Sequence, residues 1–236
     1  MFYYGFDLTY VILVLPFVIL SMWASANVNS TFKRYSAVHS RKGLTGAQAA
    51  ERVLINNGVY NVKIERISGN LSDHYDPKAN VIRLSDSVYN NTSAAAIGVA
   101  CHEAGHAVQY AQNYGPIKLR AAIIPVTNIG SMLAMPLIIL GLVLNAMSSL
   151  SFTFVYIGIG CFGLSLLFQL ITLPVEFNAS HRAVAAISGA GLLDENELEG
   201  AKKTLRAAAL TYVAAAAVSL MQLLRLIMLF GNRRDD

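Results

Sequence analysis

The sequence predicts a multi-pass α-helical membrane protein that carries a small cytoplasmic α+β domain. Three observations predict this fold class. Of the 236 residues, 55% are hydrophobic and only 14% are charged, the mean hydropathy is +0.48, and charged residues are absent from long stretches. A soluble domain typically carries about 25% charged residues. The composition therefore disfavours a soluble globule, a disordered chain and a disulfide scaffold, for which two cysteines are too few.

Long uncharged runs define four predicted membrane spans. A spanning helix needs about 20 mainly apolar residues, and residues 8–32 and 121–175 contain no charge. The second run is long enough for two spans, with a turn at residues 145–149. A third run begins at Ala207 and is interrupted only by Arg225, which lies near enough to the end of the span to reach the interface. The predicted spans are 8–26, 121–144, 150–173 and 207–230, and the sequence leaves open whether the last crosses the whole bilayer.

The first uncharged run has a second interpretation as a cleaved signal peptide, because Ala24-Ser25-Ala26 resembles a small-residue cleavage site. Against it, the residues before the run include Asp7 and no Lys or Arg, whereas Lys33 and Arg34 follow the run. This distribution favours a membrane anchor within residues 1–32.

The basic residues predict the orientation of the chain. Cytoplasmic loops of membrane proteins are enriched in Lys and Arg. Of the 18 Lys and Arg residues, 11 lie in 33–120 and four lie in 174–206. Four spans with the N-terminus outside place both segments in the cytoplasm. The net charge of +4 therefore indicates membrane topology and not a nucleic-acid partner.

The predicted spans and polar segments divide the chain into five parts. They are an N-terminal anchor 1–32, a cytoplasmic part 33–120, a transmembrane hairpin 121–173, cytoplasmic helices 174–206 and a C-terminal span and tail 207–236. Within the polar parts, residue periodicity predicts helices at 43–56, 94–110 and 194–206, strands at 62–67 and 81–85, and a turn at 72–80.

The stretch His102-Glu103-Ala104-Gly105-His106 falls inside the predicted helix 94–110 and matches the pattern H-E-x-x-H. Helical spacing places the two histidines one turn apart on one face, where both imidazoles can bind one Zn²⁺. Glu103 projects beside them, positioned to deprotonate a zinc-bound water. The other interpretation, two buried histidines and an incidental Glu, leaves an ionisable group against a buried face without a partner, which is costly. The pattern predicts one zinc ion per chain.

A catalytic zinc site needs a third protein ligand and an open position for water. His39 and His74 lie in polar stretches that are typical of surface histidines, so Glu176 is the best candidate. Glu176 follows Pro174, which suits the first turn of a helix, and the interval after the H-E-x-x-H motif is almost entirely the 121–173 hairpin. The alternative is a solvated Glu beside the membrane.

Three stretches together resemble the YugP-type membrane zinc metallopeptidases. They are His102-Glu-Ala-Gly-His106-Ala-Val-Gln, Leu173-Pro-Val-Glu-Phe-Asn-Ala-Ser-His-Arg-Ala183 and Asn80-Val-Ile-Arg-Leu-Ser85. More distantly, the arrangement resembles the heat-shock membrane protease HtpX. The similarity covers nearly the whole chain, including the hairpin between the motifs. It implies a zincin-like (gluzincin) metalloprotease domain with zinc on His102, His106 and Glu176, and with Glu103 as the base.

Residues around the expected ligands suggest supporting roles. HtpX-like enzymes have an acidic residue four positions after the ligand Glu; here that position is Ser180, which makes a weaker hydrogen bond to a ligand. His181 or Arg182 is a candidate donor to the oxyanion, although neither shares the ligand face of the helix, and headgroup contact is the alternative.

One strand is a candidate for substrate binding. The predicted strand 81–85 precedes the zinc helix, as the substrate-pairing edge strand does in such folds. An extended peptide is therefore expected to pair with Val81, Ile82, Arg83 and Leu84.

Together these features predict a membrane-embedded zinc endopeptidase of the cell (plasma or inner) membrane, in which Glu103 activates water for peptide hydrolysis. Few residues separate the ligands from the spans, so the site is expected near the cytoplasmic surface, with membrane or unfolded proteins as substrates. The competing hypothesis is a non-catalytic zinc-binding membrane protein acting as a sensor, carrier or adaptor. Glu103 favours the enzyme, because binding zinc does not require a base. The sequence does not predict the oligomeric state.

Overall fold

The computed structural model describes residues 8–144 and 151–231. The predicted turn at 145–149 and Asp7 lie outside the described residues. About 75% of the described residues are helical. A π-helical turn, Tyr10–Val14, leads into the first α-helix. The elements are then α1 (Leu15–Tyr35), α2 (Gly46–Asn56), β1 (Lys63–Ile67), β2 (His74–Asp76), β3 (Val81–Ser85), α3 (Ala94–Ala111), α4 (Gly115–Leu144), α5 (Ser151–Gly189) and α6 (Glu195–Gly231).

Four helices are long and apolar enough to cross a membrane. They are Tyr10–Tyr35, Gly115–Leu144, Phe152–Gly189 and Glu195–Gly231. Each overlaps one of the four predicted spans, which confirms the prediction of four apolar helices of spanning length.

The described residues fall into two compact units. The apolar unit contains residues 8–23, 119–144, 151–173 and 212–231, and the polar unit contains Ala24–Lys118 and Pro174–Thr211. Within the apolar unit, α4 and α5 approach closely at Gly158, where an added Cβ would lie 2.8 Å from the Ala134 carbonyl oxygen. Small residues allow this approach between apolar helices.

Helices α5 and α6 each contain an apolar part and a polar part, and neither helix is interrupted where the two parts meet. The helix predicted at 194–206 is present from Glu195 but does not end at residue 206, and the predicted start of a new helix near Pro174 is wrong. Pro174 lies inside α5, and α6 continues from Glu195 to Gly231. A change from apolar to polar side chains does not end a helix, because the backbone hydrogen bonds of a helix are local. Proline is also tolerated inside long apolar helices.

Helix α3 forms the centre of the polar unit. Ser93 caps its N-terminus, with the hydroxyl accepting a hydrogen bond from the backbone N–H of Ala96 at 3.3 Å. Two glycines let other helices pack directly on α3. An added Cβ on Gly98 would lie 3.2 Å from the Ala201 side chain, and one on Gly105 would lie 2.9 Å from the Ala179 carbonyl oxygen. The second contact brings α5 against the face of α3 that carries the H-E-x-x-H motif.

The three strands form one sheet in the order β1-β3-β2, in which β1 is parallel and β2 antiparallel to β3. The residue pattern predicts only a turn at 72–80, because β2 has three residues and shows no alternating pattern. β3 lies in the middle and is paired on both sides. The prediction that its residues form a free edge for substrate is therefore wrong. Those residues are Val81, Ile82, Arg83 and Leu84.

Arg83 of β3 connects the two outer strands through their carboxylates. Its Nη1 lies 2.8 Å from Asp76 Oδ2 on β2, and its Nε lies 3.8 Å from Glu65 Oε2 on β1. The hydrogen bonds that Asp76 accepts from the Arg83 guanidinium and from the backbone N–H of Ala79 and Lys78 lower its pKa to about 2. Arg83 thus holds β2 on the sheet by a charge-assisted hydrogen bond.

We expect Asp76→Asn to lower the thermal unfolding temperature at pH 6 and to have little effect at about pH 2. Folded Asp76 stays ionised where the unfolded carboxyl, with an ordinary pKa of 3.8, has taken up a proton. The stabilisation is therefore present above about pH 4 and is lost as the pH falls toward about 2. Thermal unfolding of the detergent-solubilised wild type and variant between about pH 2 and pH 6 measures the difference in their unfolding temperatures. A difference that grows toward low pH would contradict the prediction.

Candidate metal centre

Helix α3 presents both histidines of the H-E-x-x-H motif on one face. The ring centroids of His102 and His106 are 4.7 Å apart, and the rings are nearly perpendicular at 83°. His106 is buried and His102 is partly buried. Two imidazoles are therefore held side by side at the spacing that the helix imposes.

Glu176 of α5 faces these two imidazoles. Its Oε2 lies 3.2 Å from His102 Nε2 and 3.5 Å from His106 Nε2, and Glu176 is only 2% exposed. The three ligand atoms all lie within 4.8 Å of one another. Two imidazole nitrogens and one carboxylate oxygen make up the donor set of one class of catalytic zinc site. The residues therefore fit a zinc ion, which His102, His106 and Glu176 are positioned to bind.

The electrostatics of the cluster favour a bound cation. Burial opposes ionisation of Glu176, but the hydrogen bonds and charges of the two imidazoles hold the pKa of its carboxyl well below its usual range. Burial likewise opposes protonation of His106, but its hydrogen bond with Glu176 and the nearby Glu103 carboxylate raise its pKa. Glu176 is therefore ionised, as a metal ligand must be, and the carboxylates stabilise positive charge at His106.

Gln109 supports His106 from the next turn of α3. The His106 Nδ1 and Gln109 Oε1 atoms are 2.9 Å apart, so the ring N–H can donate to the amide and leave Nε2 free for a metal. The Gln109 amide donates in turn to the Val175 carbonyl and to Asn178 Oδ1, both at 2.9 Å. Gln109 is fully buried and ties the α3 ligands to the helix that carries Glu176.

The sequence analysis assigned no role to Gln109. A signal was present, since Gln109 follows His106 by three positions and therefore lies on the same helix face. A buried amide at that position also needs hydrogen-bond partners. Its partners Val175 and Asn178 come from a distant part of the chain, so the sequence alone could not name them.

We expect Gln109→Ala to weaken zinc affinity by about 10- to 100-fold, because the loss of a hydrogen bond that orients a metal ligand typically has this effect. Gln112→Ala is a matched control, since Gln112 bonds to Arg182 and not to a ligand. Competition with a fluorescent zinc chelator measures both affinities. Equal affinities for the two variants would contradict this role for Gln109.

Ser180 lies on the other side of the cluster. Its Oγ is 3.1 Å from His102 Nδ1, and the ring N–H can donate to this oxygen, which leaves Nε2 directed at Glu176. A hydroxyl is neutral, so this hydrogen bond is weaker than one to a carboxylate. The sequence placed Ser180 on the Glu176 face of the helix, and the structure places it beside the other ligand, His102.

Glu103 lies between the cluster and the edge of the sheet. Its side chain is 8% exposed, and its Oε2 accepts a hydrogen bond from the backbone N–H of Tyr75 on β2 at 3.0 Å. Beside it, Asp73 accepts hydrogen bonds from Ser85. Burial and the charge of Glu103 raise the pKa of Asp73. Strand β2 therefore borders the candidate catalytic carboxylate.

The remaining candidate residues differ in their surroundings. His181 is exposed. Arg182 is held by Asn178 Oδ1 at 2.7 Å and by Gln112 Oε1 at 2.5 Å, with its guanidinium 5.8 Å from the Tyr114 ring centre. His39 and His74 are both exposed, which confirms their prediction as surface histidines.

Comparison with known proteins identifies the family of this chain. The model of a family described as "Putative neutral zinc metallopeptidase" matches residues 10–231. The chain belongs to this zinc metallopeptidase family. A curated relative, "Putative membrane protease YugP" of Bacillus subtilis (strain 168), is 48% identical over 217 residues, which cover 92% of this chain and 94% of the relative. No solved structure matches the chain.

Membership of the zinc metallopeptidase family confirms the resemblance drawn from the sequence motifs. It also confirms zinc as the cofactor of this metallopeptidase, for which the His102, His106 and Glu176 cluster is positioned. The four apolar helices agree with the membrane location in the name of its relative.

Proposed function

We propose that this protein is a membrane-embedded zinc endopeptidase of the gluzincin type, which hydrolyses peptide bonds near the cytoplasmic surface of the cell membrane. One observation carries the proposal. The two histidines of α3 and Glu176 of α5 converge within 4.8 Å, while Glu103 lies on the same helix as the histidines and reaches the edge strand β2. This combination joins a metal-binding set, a base and a surface for an extended peptide.

The metal ion and the side chains have separate roles in the proposed reaction. Zinc, when held by His102, His106 and Glu176, supplies a Lewis acid that polarises a substrate carbonyl and lowers the pKa of water. The Glu103 carboxylate accepts the proton from the attacking water and delivers it to the nitrogen of the leaving amine. Gln109 and Ser180 keep the two imidazoles oriented through Nδ1 during this cycle.

We place the substrate on β2 and not on β3. The Tyr75 N–H is bonded to Glu103, so it points away from β3 and toward the site. An extended peptide that pairs with this outer edge brings its backbone next to the Glu103 carboxylate. Strand β3 is paired on both sides, so it offers no free edge for such a peptide.

We propose His181 and Arg182 as the two candidate donors to the oxyanion. A donor must be free to reach a charge that develops on the substrate. Arg182 already donates to Asn178 and Gln112, whereas the His181 ring is exposed.

The proposed place of action rests on chain connectivity and charge. Helix α5 continues without interruption from its apolar residues into Glu176. The polar segments 33–120 and 174–206 carry 15 of the 18 Lys and Arg residues, which favours the cytoplasmic side. Membrane proteins and unfolded cytoplasmic segments are therefore the proposed substrates.

Peptidase assays of the purified protein in lipid nanodiscs test this function. We expect cleavage of a membrane-tethered unstructured peptide, loss of cleavage with a chelator and recovery with stoichiometric zinc. Thiol labelling of Arg52→Cys from either side of sealed vesicles gives the orientation. Stoichiometric zinc without cleavage of any peptide would favour the non-catalytic alternative, a sensor, carrier or adaptor. Equal cleavage of soluble peptides in detergent and in bilayer would remove the role of the membrane.

A further inference from the structure

A basic groove lies between α1 and α6 within the polar unit, and the metal centre does not include it. Its volume is about 390 Å³. Three of the eight residues that line it are cations, and none is acidic: the cations are Arg34, Lys203 and Arg206. The groove is therefore a concave site with one sign of charge.

The two walls of the groove are regular helix faces. Thr31 and Arg34 lie one turn apart on α1, and Arg206 and Leu210 lie one turn apart on α6. The helices approach closely beside the groove, because an added Cβ on Gly200 would lie 2.8 Å from the Tyr35 ring. The cations are thus held on helices and not on a loop.

The positive charge of the groove is only partly balanced. Lys203 Nζ lies 3.5 Å from Glu199 Oε1 in an exposed pair, which contributes little. Arg34 contacts the Tyr35 ring, with 5.7 Å between the guanidinium carbon and the ring centre. Among residues 8–144 and 151–231, no carboxylate forms a salt bridge with Arg34 or Arg206. Two guanidinium groups are available for an anion.

The cations adjoin the uncharged runs of both helices. Arg34 comes two residues after the uncharged run 8–32, and Arg206 immediately precedes the run that begins at Ala207. Ala207 and Leu210 extend the lining of the groove into that apolar run. A ligand that fits carries a phosphate beside hydrocarbon chains, and basic pockets between membrane helices bind headgroups of this type.

We infer that this groove binds the phosphate headgroup of an anionic phospholipid, with Arg34, Lys203 and Arg206 on the phosphate. The inference rests on membrane insertion and not on peptide hydrolysis. Guanidinium groups suit this role because their planar donors can bind two phosphate oxygens at once. The bound lipid would link the segment of α6 that carries Lys203 and Arg206 to the C-terminal end of α1.

Lipid binding to the full-length protein in detergent tests the inference by native mass spectrometry. The probes are phosphatidylglycerol, phosphatidylcholine and inorganic phosphate. We expect the combined variant Arg34→Gln, Lys203→Gln and Arg206→Gln to lose about 10- to 100-fold in phosphatidylglycerol affinity, since each cation near a lipid surface contributes severalfold. A control with the same charge change outside the groove, Arg52→Gln, Lys63→Gln and Lys78→Gln, should keep the wild-type affinity.

Single variants keep the test valid if the triple variant does not fold. Arg206→Gln should weaken phosphatidylglycerol binding, and Arg206→Lys should restore only part of it, because lysine keeps the charge but not the planar pair of donors. Equal losses in the groove and control variants would overturn the inference, as would equal affinity for phosphatidylcholine. Binding of inorganic phosphate as tight as that of phosphatidylglycerol would show a phosphate site and overturn the lipid assignment.

Discussion

Replacing Glu103 by Gln is expected to lower the rate of peptide hydrolysis by about 10²- to 10⁴-fold, the usual contribution of general acid–base catalysis. The amide keeps the size of the side chain and can still contact the Tyr75 backbone, but it cannot accept a proton from water. Glu103 is not among the clustered ligand atoms, so zinc content should remain one ion per chain. Initial rates with a fluorogenic peptide, measured beside metal analysis, test both parts.

Glu51→Gln is a suitable control for this experiment. Glu51 is exposed on α2 and undergoes the same chemical change away from the metal centre. Equal hydrolysis by wild type and Glu103→Gln would refute the assignment of Glu103 as the base. If neither protein hydrolyses a peptide while both hold zinc, the enzyme assignment itself fails.

Replacing Glu176 by Gln is expected to reduce zinc affinity by more than about 100-fold, which exceeds the usual effect of losing a group that only orients a ligand. The carboxylate is nearly fully buried against two imidazoles, and a neutral amide oxygen is a much weaker ligand. Hydrolysis should fall in parallel and should recover partly at high zinc concentration. Chelator competition gives the affinity, and activity against zinc concentration gives the recovery.

Glu195→Gln provides the matching control, because Glu195 is an exposed residue in the first turn of α6. Zinc affinity equal to the wild type in Glu176→Gln would assign the third ligand elsewhere. Reduced hydrolysis with unchanged zinc affinity would also contradict the ligand role, since it would place Glu176 in a step after metal binding.

Local patterns in the sequence were sufficient to predict the helices α2 and α3 of the polar unit and the histidine pair on α3. Apolar periodicity predicted α2 but placed its start at residue 43, whereas the capping box of Thr45 and Gln48 starts it at Gly46. Ser93 caps α3, so a residue type that acts within one turn marked the start of that helix. The histidine pair depends on helical spacing alone and was predicted for the same reason. Glu176 required a further argument, because its partners are 70 or more residues away.

The features that sequence reasoning missed depend on contacts between distant segments. β2 has three residues, too few for an alternating pattern, and it forms because β3 supplies its partners. The order of the strands decides which edge is free, and periodicity carries no information about strand order. Gln109 likewise bonds to α5, which packs closely on α3 at Gly105.

The division of the ligands between α3 and α5 has a consequence for biosynthesis. Glu176 lies 70 residues after His106, and a ribosome adding about 5–20 residues per second needs roughly 4–14 s to cover that interval. During this time the nascent chain has two ligands and lacks the third. With the proposed ligands, tight zinc binding therefore follows synthesis of the segment 121–173, and the binding free energy then stabilises the packing of α3 against α5. The order of translation thereby delays a complete site until both helices have been made.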